Sequence, residues 1–182
     1  MRHSLILLVV SLFFIFGCAQ DSSLVNPVTD SNNLEMISLQ SNSFVKKSNS
    51  DQQVFNETIG QSGGKIKFKT EIDGIKVKGE LKVPSNSFEE NSINFEVDLT
   101  DVHNSIEFGP DGMEFNKDLE LKIKYENLDL SGIDVNNIKL VHVKSDGTEE
   151  IVESAEIRPN VNKGTLEVKT PVKSFSRYVF AR

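Results

Sequence analysis

Few residues in this chain have the type and spacing that chemistry requires. Cys18 is the single cysteine, so no intramolecular disulfide can form and any thiol chemistry rests on one position. Ser62 lies in Gly60-Gln61-Ser62-Gly63-Gly64, a formal match to the Gly-x-Ser-x-Gly elbow that presents a nucleophilic serine between a strand and a helix. The residues after Ser62 alternate in the manner of a strand, so the helix is missing and no nucleophile is expected there. Ser176, after Phe175 near the C-terminus, is the other serine in a recognisable setting. His103 and His142 are the imidazoles beyond the first turnless apolar run, and neither sits in a cluster with ligand spacing for zinc or with triad partners. Glu89-Glu90 and Asp98 with Asp101 lack the dense oxygen ligands of a calcium loop. The expectation is a chain without catalytic residues, metal or cofactor.

The most regular charged pattern is a stripe of lysines. Lys65, Lys67, Lys69 and Glu71 alternate with Ile66, Phe68, Thr70 and Ile72, and Lys76, Lys78, Glu80 and Lys82 alternate with Ile75, Val77, Gly79, Leu81 and Val83. A period of two is that of a strand with one buried face. Asp73-Gly74 between the two runs supplies a two-residue hairpin turn. That turn pairs position 72 with 75, 70 with 77, 68 with 79 and 66 with 81, which places every apolar residue on one face; a slip of one residue would break this. Lys69 then stands opposite Lys78 and Lys65 opposite Lys82. Like charges across a ladder are mildly destabilising, so the stripe Lys65, Lys67, Lys69, Lys76, Lys78, Lys82 is a candidate binding surface for an anionic envelope polymer or lipid headgroup. The competing reading is that these lysines keep a strand soluble.

The elements that carry these residues begin after an N-terminal segment of a different kind. Met1-Arg2-His3 precedes an apolar run from Leu5 to Phe16, the form of a secretory signal. The run is too short for a spanning helix, which needs roughly 20 apolar residues. Ile15-Phe16-Gly17-Cys18 resembles the bacterial lipoprotein lipobox, with Phe16 standing where a smaller residue is usual. The resemblance implies cleavage after Gly17, acylation of Cys18 and residence in the bacterial cell envelope. Each buried acyl methylene contributes about 0.8 kcal/mol, so two or three chains anchor stably. Ala19 after the cysteine is not the aspartate of inner-membrane retention, which favours the outer membrane.

The whole chain of 182 residues carries 20 Lys+Arg against 27 Asp+Glu, a formal charge of −7. An acidic chain of this size fits one domain plus extra chain and has no global attraction for nucleic acid. From Ala19 to Thr58, 18 of 40 residues are Ser, Asn or Gln. Such composition buries too little apolar surface to offset ordering entropy, so residues 1–17 are expected to be a signal, 18–58 a lipid-anchored polar linker, and 59–182 the domain. Within the linker, Leu34 to Leu39 could form a short strand or turn of helix.

Beyond the hairpin, strand-like runs lie at Ser92–Leu99, Asp118–Tyr125, Ile138–Lys144, Thr148–Glu153, Gly164–Thr170 and Arg177–Ala181, with Gly, Pro, Asn and Asp between them. No long amphipathic helix is present in the pattern. The expected fold is all-β, an antiparallel β-sandwich or partly closed barrel.

Several segments also occur in a familiar order: Gly63-Gly64-Lys65-Ile66, then Leu81-Lys82-Val83-Pro84-Ser85-Asn86-Ser87-Phe88, then Ile106-Glu107-Phe108-Gly109-Pro110-Asp111-Gly112-Met113-Glu114-Phe115, and finally Ser174-Phe175-Ser176-Arg177-Tyr178-Val179-Phe180. Together they resemble the ZU-five domain of zona occludens proteins, netrin receptors and ankyrins, over roughly residues 59 to 182. The resemblance implies a β-sandwich that mediates contacts and has no catalytic activity. One branch of that family cleaves its own chain within His-Phe-Ser; here Ser174 replaces the histidine, so Ser174-Phe175-Ser176 reads as a vestige of that motif.

The function expected from all this is a lipid-anchored, non-enzymatic envelope module with a membrane on one side and a protein or envelope polymer on the other. The alternatives are a self-processing or hydrolytic domain using Ser176 or Ser62, and a carbohydrate-binding sandwich. The last has no tryptophan, and only Tyr125 and Tyr178 as tyrosines for stacking on sugar rings.

Overall fold

Short alternating runs bounded by turn residues fold into thirteen strands and one 3-10 turn (Val161–Lys163) among the described residues. The computed structural model describes residues 34–42 and 53–182; the signal segment and Cys18 lie outside them. One sheet has six strands in the order β10 (Glu149–Ile151), β9 (Lys139–Val143), β13 (Arg177–Ala181), β6 (Ser105–Gly109), β5 (Ser92–Asp98) and β2 (Val54–Gly60). The other has five, in the order β11 (Glu156–Asn160), β12 (Thr165–Ser174), β7 (Glu114–Glu126), β4 (Ile75–Val83) and β3 (Gly64–Ile72). A short pair, β1 (Gln40–Ser41) with β8 (Leu128–Asp129), completes the set. Every pairing is antiparallel.

The inner faces of the two large sheets meet in one core. Phe68, Leu81, Ile123 and Val168 come from the five-stranded sheet and Phe95, Ile106, Leu140 and Phe180 from the six-stranded one. Rings cross the interface directly: Tyr125 lies edge-on to Phe180 at 5.7 Å and Phe55 tilts against Phe68 at 5.9 Å. Two sheets that each bury one face and interdigitate aromatic and branched side chains form a β-sandwich. The β3–β4 hairpin has the register expected from its turn, with Ile72 opposite Ile75, Thr70 opposite Val77, Phe68 opposite Gly79 and Ile66 opposite Leu81. Gly79 is required there, since a Cβ would stand 2.4 Å from Cζ of Phe68; the ring occupies the space that a side chain would need.

The boundary drawn at residue 59 is corrected on two counts. The strand β2 begins at Val54 and pairs along its length with β5, with Phe55 and Ile59 turned toward the core. Further upstream, residues 34–42 form a strap across the sandwich. Glu35 and Arg182 exchange two backbone hydrogen bonds of 3.1 and 2.9 Å, and the Ile37 N–H donates to Phe180 O at 2.8 Å. The Leu39 N–H donates to His103 O at 2.7 Å and the Asn42 N–H to Asn127 O at 2.9 Å. Ile37 and Leu39 are buried in the core. Averaged over forty residues, composition hid two short segments that each place an apolar pair inside. Two further strands are not among the expected runs: β6, which ends at Gly109 where a turn signal begins, and β11, which takes up the Pro159-Asn160 turn signal and holds Pro159 on the sheet's outer edge where a missing N–H removes no ladder bond.

Candidate functional site

The expected stripe of six lysines is one edge of a larger charged surface. Pairing carries each outward position of β3 across the five-stranded sheet. Lys69 faces Lys78, Lys78 faces Lys124, Lys124 faces Glu167 and Glu167 faces Arg158. The neighbouring row runs Lys67, Glu80, Lys122, Lys169, Glu156, and the next Lys65, Lys82, Glu120. With the row that starts at Glu71, the face holds ten basic and six acidic side chains, a surplus of four positive charges on a chain whose total is −7. The strands that supply Lys122, Lys124, Lys169 and Arg158 show the same alternation in sequence; which strands lie beside β4 is a long-range fact that alternation does not carry.

Carboxylates thread between these cations. Glu126 lies 2.8 Å from Lys78 and 3.6 Å from Lys124, Glu167 2.7 Å from Lys124, and Glu120 2.7 Å from Lys122. The bonded ammonium groups hold Glu120, Glu126 and Glu167 below the usual carboxylate range, and Glu120 and Glu167 hold Lys122 and Lys124 above the usual lysine value. Glu120, Glu126 and Glu167 therefore stay ionised to lower pH than an unpaired glutamate does. Lys69, Lys82 and Lys169 have no carboxylate within 4.0 Å among the described residues. A groove of about 770 Å³ lies over Lys69, Lys78, Lys122, Lys124 and Arg158.

The second arrangement is the corner where β12 passes into β13. Phe175 is 1% exposed and meets Phe95, Phe108 and Phe115 at 5.4, 5.5 and 4.8 Å between ring centres. Its N–H donates to Met113 O and its carbonyl accepts from Gly112 N–H, while Phe108 N–H donates to Ser176 O. The Phe108–Phe115 segment and the C-terminal segment thus lock together, and the Tyr178 hydroxyl closes the corner on Ser174 O at 3.0 Å.

Ser176 is buried, and its Oγ lies 2.6 Å from Nε2 of His142 and 2.7 Å from Val143 O. Spacing in the sequence gives His142 no triad partner and does not connect it with Ser176; they are 34 positions apart and meet because β9 pairs with β13. His142 also stacks on Tyr178 at 4.6 Å, and burial lowers its pKa. The chemistry that this geometry allows is attack of Ser176 Oγ on the Phe175 carbonyl carbon, with the proton passing to His142 and Gly112 N–H facing the carbonyl oxygen. One feature opposes it. A hydroxyl has one proton, and Val143 O can only accept. Satisfying both contacts puts the Ser176 proton on Val143 O and makes Nε2 of His142 the donor, the protonation state opposite to that of a base.

The remaining sequence candidates separate from one another. Ser62 is exposed in the turn from β2 to β3, beside Gly63 at φ 76°, where an added Cβ would strike Val83 O; a strand follows it, and among the described residues no histidine hydrogen bond reaches it. Asp98 and Asp101 use carboxylate oxygens on Thr100 N–H and the Asn104 amide within their own turns. Among the described residues no three His, Cys, Asp or Glu side chains gather as metal ligands. Tyr125 and Tyr178 are buried at 1% and 3%, so neither is presented to a sugar ring.

No protein-family model and no curated protein matches this chain, so the likeness to ZU-five domains rests on the motifs quoted above.

Proposed function

We propose that the protein is a lipid-anchored component of the bacterial cell envelope whose β-sandwich is a non-enzymatic interaction module, with the outer face of the five-stranded sheet as its binding surface. The observation that carries this is the distribution of lysines among strands. Lysines on an edge strand guard it against pairing with another chain, and that accounts for Lys65, Lys67 and Lys69 on β3. It does not account for Lys78 and Lys82 on β4, Lys122 and Lys124 on β7, or Lys169 on β12, all interior strands. Four like-charged pairs stand directly opposite one another across the face, two joining the edge strand to β4 (Lys65 with Lys82, Lys69 with Lys78) and two between interior strands (Lys78 with Lys124, Lys122 with Lys169). Each such pair costs a few tenths of a kcal/mol or more, and an anionic partner offsets that cost.

The anchor rests on the lipobox-like Ile15-Phe16-Gly17-Cys18. It is tested by membrane fractionation and intact mass of the native protein beside Cys18→Ala. The expected result is membrane-bound wild type with an acyl mass increment and an unlipidated variant that retains its signal; equal processing of two soluble proteins would refute the anchor.

A second reading, self-processing, has the Ser176–His142 contact in its favour. It predicts a mature chain cut before Ser176, releasing residues 176–182 as a peptide under denaturing conditions. The same intact mass decides it: an uncut chain that stays uncut on long incubation leaves the pair as a structural hydrogen bond.

A further inference from the structure

The surplus of charge is not spread evenly over the face. The row through Lys69, Lys78, Lys124, Glu167 and Arg158 carries four cations and one carboxylate; the rows on one side of it, through Lys67 and then Lys65, carry a surplus of one positive charge each, and the row on the other side, from Glu71, is net acidic. Adjacent strands are about 4.8 Å apart, so this row crosses about 19 Å of sheet at right angles to the strands. Its three lysines stand on three consecutive strands, one at the edge and two interior, with Arg158 beyond Glu167, and all five residues line the groove.

A flat bilayer surface meets the whole face at once, six carboxylates included. A linear chain can follow the row in which the cation surplus is largest. No aromatic side chain projects from this face, so recognition is by charge and not by stacking. From this geometry we infer that the row Lys69–Lys78–Lys124–Arg158 is the binding track for a linear acidic polysaccharide, one negatively charged sugar chain laid across the five strands. This rests on the interaction-module reading and names its partner class. Attraction of this kind releases condensed counterions from the polymer and weakens steeply with salt.

The test uses the full-length protein in detergent and polygalacturonate, a linear polyuronate, as the probe. Binding is measured at low and high sodium chloride for wild type, for the row variant Lys69→Gln/Lys78→Gln/Lys124→Gln, and for Lys139→Gln/Lys163→Gln/Arg177→Gln, which removes the same charge elsewhere. Unfolding midpoints establish that all three are folded. The expected result is binding at low salt that is lost at high salt, at least tenfold weaker for the row variant and within about twofold of wild type for the control. Equal weakening in both variants, or no binding at low salt, overturns the inference. So does row-dependent binding to phosphatidylglycerol vesicles without binding to polygalacturonate, which would make a lipid surface the occupant. Because the measurement is made in detergent, it is independent of acylation: a missing acyl mass refutes the anchor alone, and missing polymer binding refutes the track alone.

Discussion

The charged face of the five-stranded sheet and the corner between β12 and β13 both place polar side chains at fixed positions, and they do so with opposite economies of solvent. On the face, lysines and glutamates stay in water, their ion pairs are exposed, and several lysines have no carboxylate close by. In the corner, one hydroxyl and one imidazole are removed from water, and each contact is filled by a partner from another strand. The difference separates two uses of polarity: a surface with unsatisfied charge is available to a partner, and a buried pair with its hydrogen bonds complete holds a fold.

That contrast can be broken at several points. The largest effect is expected in the corner. Phe175→Ala should lower the free energy of unfolding by about 3–5 kcal/mol, read by urea denaturation, because three aromatic rings lose their common neighbour; a loss under about 1 kcal/mol would mean that the corner is not part of the core. Leu39→Ala tests whether the strap belongs with the corner or with solvent. Its burial at 1% predicts a cost of about 2–5 kcal/mol, and no effect would return the strap to the linker.

Ser176→Ala should cost about 1–3 kcal/mol by leaving Nε2 of His142 without its partner. The imidazole supplies a pH signature as well. Its pKa is lowered in the fold by burial, so the unfolded chain takes up a proton first, and the contribution of the neutral ring is complete above about 6.5 and is lost as pH falls below it. The thermal midpoint of wild type should therefore drop between pH 7.5 and 5.5, with a shallower drop for His142→Gln. The smallest effect belongs to the face: Lys124→Gln should change stability by no more than about 0.5 kcal/mol, and a larger loss would make its ion pairs structural.

Local pattern made the face partly legible. Alternation and the Asp73-Gly74 turn specify the β3–β4 hairpin to the residue, because turn and hydrophobic face must agree, and the lysines come with it. The other half of the surface depends on β4 lying beside β7 and β7 beside β12, a choice among strands of similar pattern. The corner was less legible still. Ser176 and His142 carry no spacing signal, and their meeting follows from the order of β9 and β13 in a six-stranded sheet. Leu34 to Leu39 contained the right hint, an apolar residue at every second or third position, diluted by the serines and asparagines around it.

The strap has a mechanical consequence. Residue 34 is where the preceding chain enters the domain, and Glu35 is fastened to Arg182 by a two-pronged ion pair of 3.0 and 2.8 Å besides its backbone bonds. A pull along that chain reaches these contacts before the ladders that join the strands of either large sheet, so tension is expected to peel the strap off β13 first and expose Ile37 and Leu39 while both sheets keep their ladders. Where the load arrives, Arg182 acts as the clasp.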